Sequence, residues 1–118
     1  MTPGMTPDST WTPICAVDDL AVDRGAAALV DGHQVAVFKL ASGEVYAVGH
    51  RDPFSGANVM ARGLVGTRGD IPTVASPIYK QSFDLRTGQC LDDEAVALES
   101  WPVRVVGGIV ELMKSGGQ

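Results

Sequence analysis

Apolar and polar positions alternate along much of this chain. Residues 33–40, HQVAVFKL, set Val35 and Val37 on one side of an extended backbone and Ala36 and Phe38 on the other, and residues 44–50, EVYAVGH, repeat the pattern. Ala41, Ser42 and Gly43 between them supply a turn, so the two runs predict a β-hairpin. A second hairpin is predicted by PVRVV at 102–106, the turn Gly107-Gly108 and IVELM at 109–113. Shorter strand candidates fall at 14–17, 28–30, 73–75, 82–85 and 96–99, each bounded by Gly, Pro, Asp or Ser. Helical spacing is confined to residues 18–25, where an Asp is available to cap one turn.

These elements predict an all-β fold, an antiparallel sandwich or small barrel with little helix, rather than a parallel sheet crossed by helices. A chain of 118 residues has room for one core. Residues 1–10, MTPGMTPDST, lack periodicity and read as a flexible arm; 11–114 reads as the folded domain and 115–118 as a flexible tail. Gly25, Gly63, Gly66 and Gly69 mark loops. GLVGTRG at 63–69 reads as a flexible one, since it lacks both the Lys-Ser/Thr ending and the following helix of a phosphate-binding loop. No internal repeat is visible.

Charge narrows the functions. Fourteen acidic and nine basic residues give a net charge of −5, the wrong sign for neutralising phosphates, so nucleic acid is not an expected partner. No Lys/Arg cluster suits an anionic membrane, and no apolar run approaches the roughly 20 residues of a spanning helix. The first ten residues show neither the basic nor the apolar region of a secretory signal, so the cytoplasm is the expected compartment. There, Cys15 and Cys90 are expected as small buried or half-buried thiols rather than a disulfide.

Candidate chemistry is sparse. His33 follows a turn signal and reads as a surface residue, whereas His50 ends a strand just before a loop, where binding groups concentrate. His33, His50, Asp52 and Cys90 match no metal-binding spacing. Ser55, Ser76 and Ser82 lie in no nucleophile elbow and read as turn residues. Asp18-Asp19 and the run Asp92-Asp93-Glu94 read as solvated surface, and Trp11, Trp101, Phe38 and Phe83 as core or interface anchors.

Two loops interrupt the strands: DPFSGANVM at 52–60 and SPIYKQSFD at 76–84. Their order resembles that of Rieske domains, in which a first loop Cys-Pro-His-x-Gly-Ala and a second loop Cys-Pro-x-His-Gly precede a Phe-Asp strand and a Thr-Gly turn. Here the loops read Asp52-Pro53-Phe54-Ser55-Gly56-Ala57 and Ser76-Pro77-Ile78-Tyr79-Lys80, followed by Phe83-Asp84 and Thr87-Gly88. The resemblance places Asp52, Phe54, Ser76 and Tyr79 where two Cys and two His hold a [2Fe–2S] cluster. Phe cannot ligate iron, and Asp, Ser and Tyr are hard oxygen donors, so a cluster-free scaffold is implied. Phe54 and Tyr79 are expected to fill the space of a cluster, while Asp52, Ser76 and Tyr79 tie the loops by hydrogen bonds.

From about Trp11 to Met113 the chain is similar to the small-subunit family of assimilatory NADH-dependent nitrite reductases, a ligand-less Rieske-like group. That resemblance implies no cofactor and no catalytic residue in this chain. It also implies a partner, a large subunit with FAD, a [4Fe–4S] cluster and sirohaem that reduces nitrite to ammonium. His50, Pro53, Phe54, Gly56, Pro77, Tyr79 and Lys80 are the expected docking loops. Two alternatives stand beside this reading: an electron carrier with an atypical cluster held by Asp52, His50 and the two Cys, and a ligand-less module of another oxidoreductase such as a ring-hydroxylating system.

Overall fold

The first strand of the first predicted hairpin is the one around which the molecule is built. In the computed structural model, which describes residues 11–30 and 32–113, β3 is His33–Lys39 and lies between β2, Gly25–Val30, and β4, Val45–Gly49. Its two faces serve two cores. Val35 and Val37 pack with Leu20, Val30, Ala47, Trp101, Val110 and Leu112; Ala36 and Phe38 pack with Val48, Met60, Val74, Phe83, Leu85, Cys90 and Leu98. A strand buried on both sides keeps its alternation as a division between two apolar layers rather than between core and water.

The first core is closed by a sheet ordered β1-β10-β9, formed by Trp11–Ala16, Ile109–Met113 and Val103–Val106. β8, Ser100–Trp101, pairs with β4, and beyond Pro102 the chain passes into β9. The second core is closed by a sheet ordered β5-β6-β7, formed by Leu64–Arg68, Ile71–Ala75 and Ser82–Asp84. All strand pairings within the three sheets are antiparallel and no barrel closes, so the expected all-β class holds in its sandwich form.

Three local expectations need correction. GLVGTRG is not a flexible loop: Leu64–Arg68 is a strand, with Val65 opposite Val74 and the hairpin turned at Gly69, whose φ is 63°. Residues 96–99 form no strand, because the Gln89 amide donates to the carbonyls of Cys90, Glu94 and Val96 and folds that segment as a loop, leaving one bridge from Gln89 to Ala97. The helical turn shrinks to a 3-10 segment, Val17–Asp19, with no side-chain cap, because buried Leu20 ends it in extended backbone. The arm and tail expected at 1–10 and 115–118 lie outside the described residues.

Cys15 and Cys90 are free, half-buried and buried respectively, and belong to different cores. Gly88 carries the Thr-Gly turn at φ 85°, and a Cβ there would collide with the Leu98 carbonyl oxygen. Gly107, also left-handed at φ 59°, faces open space. Gly88→Ala is therefore expected to cost more than about 2 kcal/mol and Gly107→Ala only about 1 kcal/mol in urea denaturation. Equal costs at the two positions would contradict this packing.

Candidate functional site

The two loops are built on one turn used twice. In the first, the Asp52 N–H donates to Ala57 O at 2.8 Å, the Gly56 N–H donates to Asp52 O at 2.7 Å, and the Phe54 N–H donates to Asp52 Oδ1 at 2.9 Å. In the second, the Ser76 N–H donates to Gln81 O at 2.9 Å, the Lys80 N–H to Ser76 O at 3.0 Å, and the Ile78 N–H to Ser76 Oγ at 3.2 Å. A third copy follows at once: Asp84 N–H to Gln89 O at 2.8 Å, Gly88 N–H to Asp84 O at 2.7 Å, and Arg86 N–H to Asp84 Oδ1 at 2.8 Å. In each turn the opening side chain is short and polar and caps its own backbone two residues on.

The fifth residue of each turn is left-handed: Gly56 at 79°, Lys80 at 69° and Gly88 at 85°. Glycine is the natural occupant, and a residue with a Cβ costs roughly 1–2 kcal/mol there. Lys80 is the exception among the three. Its ammonium reaches back to Pro77 O at 3.1 Å, and its side chain is exposed.

The first two turns meet through their opening side chains. The Ser76 hydroxyl donates to Asp52 Oδ2 at 2.6 Å, a charge-assisted contact in which both residues are wholly buried. Burial works against the Asp52 carboxylate, but the Ser76 hydroxyl, the Phe54 amide and Ser55 together hold its carboxyl below the ordinary range. In the third turn Asp84 has a different companion. Burial again opposes ionisation, and the Arg86 guanidinium, bonded at 3.1 Å to each oxygen, outweighs it.

The remaining expected site residues divide between inside and outside. The Phe54 ring is half-buried against Phe83, centroids 6.2 Å apart, and packs on the core formed around Phe38. Tyr79 does not pack beside it: the side chain is 57% exposed, which corrects the expectation that Tyr79 fills the interior and ties the loops. The cause is the turn itself, which directs residues 78–80 into solvent. His50 is only 8% exposed, and its Nδ1 accepts the Ala61 N–H at 3.1 Å, so it braces the first loop from beneath rather than facing outward. Burial, with the Arg62 charge second, pushes its pKa below the usual histidine value. Pro53 and Gly56 are exposed and Pro77 is half-buried.

A [2Fe–2S] cluster does not fit this donor set. Asp52 and Ser76 are bonded to each other, Phe54 faces the core and Tyr79 faces water. Among the described residues, no three His, Cys, Asp or Glu side chains gather as a metal site, and the two Cys lie in separate cores. Sequence reasoning missed Ile78, which is 43% exposed beside Tyr79, and Arg51, exposed beside Asp52. The signal was present in Lys80, a Lys at the position of a turn glycine.

Residues 10–113 match the family described as the Rieske-like [2Fe-2S] domain. The small subunit of nitrite reductase (NADH) from Salmonella typhimurium is 40% identical over 105 residues, 88% of this chain and 97% of that protein. The chain belongs to the Rieske-like family of NADH nitrite reductase small subunits. A crystal structure of an NADH-dependent nitrite reductase small subunit from Mycobacterium tuberculosis shares 50% identity and a TM-score of 0.86, covering 88% of this chain and 94% of that one. Within the nitrite reductase [NAD(P)H] large subunit of Klebsiella oxytoca, a segment is 39% identical over 104 residues, 88% of this chain but 11% of that protein. The family thus occurs both as a separate subunit and as a segment of a large one.

Because the folded Asp52 carboxyl lies below its unfolded value, it contributes stability above the ordinary carboxylate range, and this is lost as pH falls through the folded value. Ser76→Ala removes its cross-loop donor. The variant is expected to lose about 2–3 kcal/mol at neutral pH and to unfold at a higher pH during acid titration, followed by circular dichroism. A loss below about 0.5 kcal/mol, as for an ordinary surface substitution, would contradict the role assigned to this bond.

Proposed function

We propose that this chain is the non-catalytic small subunit of a cytoplasmic NADH-dependent assimilatory nitrite reductase, and that it supports its large subunit without carrying a [2Fe–2S] cluster. The observation that carries the reading is the bond between Asp52 and Ser76, two buried residues at positions where cluster ligands stand in Rieske domains. One hydrogen bond links the loops where iron would otherwise link them. With no electron carrier of its own, the chain contributes by shape: assembly, stability, or the setting of the electron path in its partner.

The partner is the large subunit, to which FAD, a [4Fe–4S] cluster and sirohaem belong on this reading, and which reduces nitrite to ammonium. A family member found as part of a large-subunit polypeptide supports physical association, since fusion removes the need for two chains to find each other. The loop end is the proposed docking face, through Pro53, Gly56, Pro77, Tyr79 and Lys80, with His50 and Phe54 bracing it from inside. No helix among the described residues is long and apolar enough to cross a membrane.

Co-expression with the large subunit from the same organism is expected to give a complex in which the small chain raises the yield or nitrite-reducing activity of its partner. The small chain purified alone is expected to be colourless, without stoichiometric iron or sulfide. Failure to associate overturns the partner; a brown chain with two irons overturns the cluster-free reading and restores the electron carrier.

A further inference from the structure

Two exposed cations lie close in the chain to the bond that joins the loops. Arg51 immediately precedes Asp52, and Lys80 closes the turn that Ser76 opens, while the Asp52 carboxylate itself is buried. The chain as a whole carries a net charge of −5. The cations are also unpaired. Among the described residues, ion pairs engage Arg68, Arg86 and Arg104, and none reaches Arg51, Arg62 or Lys80. Glu99 shares an open cleft of about 440 Å³ with His50 and Arg51 but forms no ion pair with Arg51, and Asp92 is held by Arg68 and the Ser82 amide.

Position reinforces charge. The Asp52–Ser76 bond places Arg51 one residue from the junction of the loops, and the Lys80 amide bonds Ser76 O, so both cations spring from the same rigid knot. Next to Lys80 the second loop presents Ile78 and Tyr79, 43% and 57% exposed. Lys80 occupies a left-handed position that its two sister turns give to Gly56 and Gly88, so its side chain is retained against the backbone preference. Its ammonium has the Pro77 carbonyl but, among the described residues, no carboxylate for a partner, and strain kept at such a cation points to a use outside the chain's own fold.

We infer that the tip of the second loop, Ile78 and Tyr79, acts with the exposed cations Lys80 and Arg51 to dock on the large subunit, the apolar tip seating in an apolar recess that carries acidic groups for the cations. This rests on the partner proposed above. Tyr79 and Ile78 supply contact area, and Arg51 and Lys80 orient the approach of a protein whose net charge is −5. Such cations act chiefly on the rate of association and its salt dependence, while the aromatic tip acts on dissociation.

The test is association kinetics between the small chain and purified large subunit, from about 50 to about 500 mM NaCl. Arg51→Glu and Lys80→Glu are each expected to slow association about tenfold at low salt and to flatten its salt dependence. Tyr79→Ala is expected to speed dissociation about tenfold. Ala41→Glu/Ser42→Glu adds to the exposed β3–β4 turn the same negative charge as one reversal, and is expected to change association by less than about twofold. Lys80→Gly is the sharpest variant, since it should raise the melting temperature yet slow association. Reversals that associate as fast as the unaltered chain, or a control slowed equally, overturn the inference while leaving the partner intact. No binding by the unaltered chain removes the partner and this inference together.

Discussion

At the ends of β4 and β6 the chain makes two tight turns whose first side chains, Asp52 and Ser76, point at each other inside the protein. A fully buried carboxylate is costly unless donors surround it, and the Ser76 hydroxyl at 2.6 Å and the Phe54 amide at 2.9 Å are such donors. The demand runs in both directions. Asp52 needs the second loop to remain ionised inside, and the loops need Asp52 to stay together without a metal. Phe54 on Phe83 and His50 beneath Ala61 then fill the space behind the bond, so the loop end is rigid from its core outward.

Much of this was legible in the sequence. The alternation from Val35 to Phe38 announced β3, and the Pro and Gly residues of the two loops announced the turns that frame the site. That both faces of β3 are buried was also signalled, by the unbroken apolar run Val35-Ala36-Val37-Phe38, but which sheets cover the two faces depends on long-range pairing that the run does not encode. GLVGTRG misled because three glycines suggest a loop, whereas β6 supplies the partner that holds Leu64–Arg68 extended. Tyr79 misled for a simpler reason: matching a ligand position says where a backbone runs, not whether the side chain turns inward.

The repeated turn was hidden because its three copies share geometry rather than letters. Asp52, Ser76 and Asp84 open it with different side chains, and its left-handed position holds Gly, Lys and Gly. Once the copies are set together, Lys80 stands out. The first two turns form the loop pair, while the third, closed on Arg86, supports them from the strand that follows. A frame of this kind retains the precision of a cofactor site and turns it to positioning a surface, which suits a subunit whose partner performs the chemistry.

The account depends on Asp52 and Ser76 acting as one unit, and a double-mutant cycle measures that directly. Asp52→Ala, Ser76→Ala and the double variant are compared by urea denaturation at neutral pH. A coupling of about 1.5–3 kcal/mol is predicted, as for a buried hydrogen bond to a charged group. Additive losses, within about 0.5 kcal/mol, would show that the two loops are held by something other than this bond.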